Sequence, residues 1–155
     1  RVDRQAARRR RLLMRALLDV NVLIALLDAN HSLHVRASQW FGSHARAGWA
    51  SCPITQNGCI RVMSHPRYPN SVPVGAVMER LAEACASAFH RFWPDDISLL
   101  DPQVADAQRI HGPRQLTDIY LLALAVRRGG QFVTFDGSVS ADAIAGAGKK
   151  HLINL

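Results

Sequence analysis

Asp19, Asp118 and Asp136 are the residues of this chain whose types and placing could do chemistry together. Asp19 ends the apolar run RALLD at 15–19, and Asp136 ends QFVTFD at 131–136. Both runs read as buried strands. In an open parallel sheet, sites form outside the carboxyl ends of the strands, so both acids are expected at that edge. Asp118 stands near the start of LTDIYLLALAV, a stretch apolar nearly all round. A carboxylate there must point into a cleft or find a cation. Carboxylates crowded together repel one another unless a divalent ion compensates them. Hard oxygen donors select Mg²⁺, or Mn²⁺ as a substitute, over zinc. Such an ion activates water and stabilises charge on a phosphoryl group. Taken singly, each acid also has a plainer explanation. Asp19 could cap the next helix, Asp118 could be an early-helix acid favoured by the dipole, and Asp136-Gly137 is an ordinary turn pair.

The elements that must position these acids alternate along the chain. The strand at 15–19 runs into a helix in NVLIALLD, and a second helix spans His34 to Arg46 before Gly48 stops it. Trp49 to Ile54 reads as a second strand, with Thr55 as N-cap of a helix through Met63. Residues 66–74 hold three prolines and read as a loop, and Val74 to Ala84 as a helix. After a turn at Pro94-Asp95-Asp96, Ile97 to Leu100 reads as the third strand, which sets those two acids on the far edge of the sheet. Asp101-Pro102 is expected to cap a helix reaching Ile110. Gln115 to Arg128 is the clearest helix, Gln131 to Phe135 a fourth strand and His151 to Leu155 a fifth. The pattern predicts an α/β fold of three layers, a central parallel sheet of four to five strands with helices on both faces.

Composition narrows the class further. At 155 residues, 48% hydrophobic and 20% charged, the chain suits one globular domain with a sizeable core. No apolar run reaches the roughly 18 residues of a membrane span. Three cysteines without paired spacing argue against a disulfide framework or a zinc site, and a reducing cytoplasm is the simplest compartment. The net charge is +7, but residues 1–13 hold six arginines and one aspartate, so most of the basicity is a tail. That tail reads as a basic extension outside a domain at 14–155, or as a nucleic-acid arm.

LLDVNVLIAL at 17–26, TQNGCIRV at 55–62, LTDIYLLALA at 116–125 and FVTFDGS at 132–138 together resemble the PIN-domain ribonuclease toxins of VapBC toxin–antitoxin systems. The order and spacing match across about residues 14–155. The resemblance implies the PIN fold and a Mg²⁺-dependent endoribonuclease that cleaves RNA, is neutralised by a cognate VapB-type antitoxin and forms a homodimer. It implies that Asp19 and Asp118 bind the metal and that Asp136 completes the acidic site. Asn21 and Thr134 match small polar positions near the family's acids, where a hydrogen bond to a carboxylate is expected. Arg61, three residues after Gly58 on the same helix, could meet an RNA phosphate or form a structural ion pair. Trp40 and Phe41 read as core or interface residues, and helices near the first strand commonly form the family's dimer and antitoxin grooves.

One departure stands out. The family's usual second acid is a glutamate where this chain has Gly58, and its only glutamates are Glu79 and Glu83. Some toxins of the family resemble this one in carrying TQNG. Three acids suggest one well-held ion. If Gly58 faced it, glutamate at that position would add a ligand and also stabilise the helix. The alternative function is a catalytically impaired PIN-like RNA-binding or interaction module. DVNVL also weakly resembles the nucleophile motif of haloacid-dehalogenase-like phosphatases. That chemistry wants a second acid at position 21 and a lysine before the terminal acids, and the chain has Asn21 and only Lys149 and Lys150.

Overall fold

Ala16–Leu18 (β1), Trp49–Ser51 (β2), His90–Phe92 (β3), Gln131–Thr134 (β4) and Leu152–Asn154 (β5) lie side by side in a computed structural model that describes residues 3–155. Every pairing is parallel, in the order β3-β2-β1-β4-β5. Leu17 sits opposite both Ala50 and Phe132, which fixes the register at the centre. Six α-helices stand among the described residues: Arg4–Leu12 (α1), Val20–Leu27 (α2), His34–His44 (α3), Pro53–Met63 (α4), Val74–Cys85 (α5) and Leu116–Arg127 (α6).

The three central strands are buried on both faces, and alternate residues feed two separate cores. Leu17, Ala50 and Phe132 pack against Ile119, Leu121, Leu122 and Leu124 of α6. Ala16, Leu18, Trp49 and Val133 face the other way, onto Val22, Leu23 and Ile24 of α2, Cys59 and Met63 of α4, and Val77 and Leu81 of α5. Trp40 and Phe41 of α3 pack against this second core, Trp40 stacked on His44 and Phe41 edge-on to Trp49. The three-layer expectation holds. The basic extension forms α1, whose side chains from Arg4 to Arg9 are exposed, while residues 1–2 lie outside the described residues.

Three local expectations fail, each for a traceable reason. The third strand is His90–Phe92, not Ile97–Leu100. It pairs with β2 through the backbone, and an edge strand needs little apolar character. Ile97 and Leu99 do turn inward against the α6-side core, but Ser98 caps a turn through Leu100 N–H and no strand forms. No helix runs from Asp101 to Ile110 either. Asp101 heads a single turn by accepting from Gln103 N–H. The chain then bonds to 143–145, through the Ala105–Ile144 bridge and Asp106 N–H to Ala143 C=O, leaving only a 3₁₀ turn at Ala107–Arg109. The second strand stops at Ser51, because Pro53 opens α4. Thr55 is not the N-cap but the third residue, its Oγ1 accepting from Cys52 N–H.

Candidate functional site

The strand order changes direction between β1 and β4, and the carboxyl ends of those two strands carry Asp19 and Asp136. Such a switch point opens a crevice, because the connections on its two sides leave in opposite directions. Asp19 follows β1 directly, and its N–H still bonds to Val133 C=O, so the ladder itself fixes its backbone. The same residue caps α2, its Oδ1 accepting from Val20 N–H at 2.8 Å. Oδ2 accepts from the Thr134 hydroxyl at 2.7 Å. That hydroxyl oxygen in turn accepts from Asp136 N–H at 3.0 Å, so one threonine ties the two acids together. The hydrogen bond to a carboxylate expected of Thr134 is thus present.

The electrostatics show how crowded the acids are. Asp19 is 7% exposed, and burial raises its pKa; the bonds from Thr134 and Val20 oppose the rise, and the charge of Asp136 adds to it. Asp118, on the first turn of α6, is pushed up to about 6 by burial and then by the charges of Asp19 and Asp136. Asp136 moves the other way, lowered by the Ser138 hydroxyl and N–H on its Oδ1. Among the described residues, no three His, Cys, Asp or Glu side chains close into a metal cage. The three acids are near enough for the charges of Asp19 and Asp136 to act on Asp118. Oxygen donors of this kind suit Mg²⁺, which keeps several waters and leans on one or two carboxylates plus a substrate phosphate. A cation would also relieve the repulsion that raises Asp118.

Asp118 and Asp136 line a cleft of about 200 Å³. Its walls include Ile119, Val139 and Ala143, and Arg109, His111, Arg114 and Gln115 stand around it. Sequence reasoning missed Arg109, Arg114 and Gln115. Arg109 lies on the segment expected to be helical as far as Ile110, while Arg114 and Gln115 stand just before α6, and the only signal was basic residues flanking Gly112-Pro113 just before Asp118. The other two expected residues are not brought in. Asn21 is exposed on the first turn of α2 and makes no hydrogen bond to Asp19. Arg61 is exposed and lines a separate groove with Arg67 and Tyr68, and it makes no ion pair among the described residues. Asp95 and Asp96 follow β3, so they stand on the carboxyl edge and not the far one; Asp96 pairs with Arg128 at 2.7 Å.

Gly58 is buried on α4 where it crosses α2. A Cβ there would stand 2.6 Å from Val20 Cγ2 and 3.4 Å from Cγ1. The glycine lets α4 approach the residue next to Asp19, and a short β-branched side chain has little room to yield. The expectation that glutamate would stabilise this helix is corrected on that ground.

Residues 16–143 match the PIN domain family. The chain belongs to the PIN-domain family. This PIN domain is 53% identical over 142 residues to Ribonuclease VapC44 of Mycobacterium tuberculosis, covering 92% of the chain and 100% of that protein. The crystal structure of VapC20 from the same organism, described as a sarcin-ricin loop cleaving toxin, shares the PIN fold at a TM-score of 0.60. It is 16% identical, covering 85% of this chain and 98% of that one. VapBC2 of Rickettsia felis, solved with a DNA fragment from its promoter, gives a TM-score of 0.51 at 10% identity, covering 81% and 90%.

Proposed function

We propose that this PIN domain is the toxin of a type II toxin–antitoxin pair, an endoribonuclease that uses Mg²⁺ or Mn²⁺ to cut RNA phosphodiester bonds between β1 and β4. The observation that carries the reading is Asp118, held at about 6 by burial and by two further carboxylates at the switch point. Asp19, Asp118 and Asp136 would hold the ion. Bound there, it would supply an activated water and neutralise charge on the phosphoryl group. Thr134 keeps Asp19 turned toward Asp136, and each bonded oxygen retains a second lone pair for a cation. Ser138, bonding Asp136 Oδ1 through its hydroxyl and N–H, lowers the Asp136 pKa below its ordinary value. The 53% identity to a ribonuclease over that protein's whole length supports RNA as the substrate. The impaired-module alternative is not favoured, because all three acids remain and Gly58 serves a packing contact.

A VapB-type antitoxin is the proposed partner, supported by the VapB–VapC pairing named for the Rickettsia felis neighbour. The exposed apolar side chains Val35 of α3 and Val74 and Met78 of α5 offer surface for that partner or for a homodimer. Among the described residues no helix is long and apolar enough to cross a membrane, and the cytoplasm is the proposed location of a protein that meets RNA. Purified protein should cut RNA when Mg²⁺ or Mn²⁺ is present and stop when EDTA is added. Full cleavage in excess EDTA would overturn the metal-dependent reading.

A further inference from the structure

The cleft beside Asp118 and Asp136 has more chemistry than cutting a phosphodiester requires. Its floor is apolar: Ile119 and Ala143 are almost fully buried, and Val139 is half-buried beside them. Its volume of about 200 Å³ falls below the roughly 300–1,000 Å³ of pockets that enclose a drug-sized ligand. One planar ring system is the size it suits. A catalytic trench that gripped only the RNA backbone would be lined with polar groups throughout.

The rim completes the match. Arg109 is held in place by Asp106 at 3.4 Å and by Asp142 C=O at 3.3 Å. Arg114 is exposed, with neither an ion pair nor a hydrogen bond among the described residues. An unpaired guanidinium beside two carboxylates is placed to take an anion that arrives with the substrate. Gln115 uses Oε1 to accept His111 N–H at 3.1 Å, which leaves both amide N–H donors unspent. Apolar floor, free amide and free cation are the parts that read an unstacked base together with its phosphate.

We propose that this cleft is a nucleobase pocket. It takes one unpaired base flanking the cut bond, with Ile119, Val139 and Ala143 against the ring, Gln115 on its polar edge and Arg114 on the adjoining phosphate. The proposal rests on the ribonuclease reading of the same site. It makes the cut depend on a base that can leave its stack, and it makes Gln115 a specificity residue.

The test uses a synthetic RNA stem-loop that the full-length protein cuts at one mapped bond. Replacing the nucleotide on one side of that bond by an abasic one should lower kcat/KM by roughly tenfold, the loss of one base's apolar burial against Ile119, Val139 and Ala143. The same change on the other side should do much less. Gln115→Ala should flatten the preference among the four bases at the sensitive position. Arg114→Ala should weaken binding of all sequences alike and reduce the salt slope by about one counterion, with partial rescue by Arg114→Lys. Equal cleavage of both abasic RNAs and the parent would overturn the pocket, as would an unchanged base preference in Gln115→Ala. If Asp118→Asn cut the parent RNA as fast as the wild type, the ribonuclease reading of the cleft would fall first and this proposal with it.

Discussion

Thr134 shows how few atoms set the acidic site. Its hydroxyl donates to Asp19 and accepts from Asp136 N–H, so Thr134→Val removes both bonds while keeping the shape. A hydrogen bond to a charged group contributes about 1.5–3 kcal/mol, and outer partners of metal ligands typically change metal affinity 10–100-fold. The variant should melt earlier and need correspondingly more Mg²⁺ for half-maximal cleavage, read from a metal titration of the rate. Gly58 is the second decisive residue. Alanine in a helix interior normally gains roughly 0.5–1 kcal/mol over glycine, but overpacking costs typically 1–3 kcal/mol. With Val20 Cγ2 at 2.6 Å from the new carbon, the clash should win. Gly58→Ala should lower the urea midpoint, and Val20→Ala in the same protein should restore part of it. A midpoint raised by Gly58→Ala alone would contradict the packing argument. Asp19 and Asp136 were legible in the sequence because each closes an apolar run, and Asp118 because it stands near the start of one, where a charge needs a reason. Arg114 and Gln115 were not, since an exposed arginine and a glutamine before a helix carry no such tension with their surroundings.

At the level of elements, what the sequence showed was what burial controls. Strands β1 and β4 and helix α6 are apolar because both sides are covered, and their ends were read to within a residue or two. The misread elements lie where backbone hydrogen bonds decide and side chains do not. His90-Arg91-Phe92 has no apolar signature and is a strand because Ser51 and its neighbours pair with it. Asp101-Pro102 looks like a helix start, but the segment after it bonds to 143–145 instead. A side-chain hydrogen bond ties α2 to the proline-rich loop: Tyr68 donates its hydroxyl to Asp28, the C-cap of α2, which is 8% exposed. That bond, chiefly, lowers the Asp28 pKa below its ordinary 3.8. A carboxylate with a depressed folded value contributes stability above the unfolded value and loses it as pH falls through the folded one. Tyr68→Phe should therefore cost about 1.5–3 kcal/mol near neutral pH, with the gap to wild type closing below about pH 3.8. Denaturant melts across pH 2–7 check this, and a gap independent of pH would show that Tyr68 acts through packing alone.

Across the whole molecule, two cores hold one sheet, and the sheet's change of direction opens the site. The described side chains of α1, from Arg4 to Arg9, are exposed. Removing residues 1–13 should shift the melting temperature by less than about 2 °C, which corresponds to under roughly 1 kcal/mol for a domain of this size. A larger loss would show that α1 docks on the domain. The central claim is that Asp19, Asp118 and Asp136 are one metal-dependent RNA-cutting centre. The most direct test is a single Mg²⁺ titration that follows cleavage of one RNA and thermal stability in parallel, on wild type and Asp118→Asn. The account predicts that in the wild type both rise with the same half-saturating concentration, because a ligand that binds only the folded state stabilises it. Both responses should vanish in Asp118→Asn while its circular dichroism stays native. Mg²⁺-dependent cleavage that survives undiminished in Asp118→Asn would contradict the account.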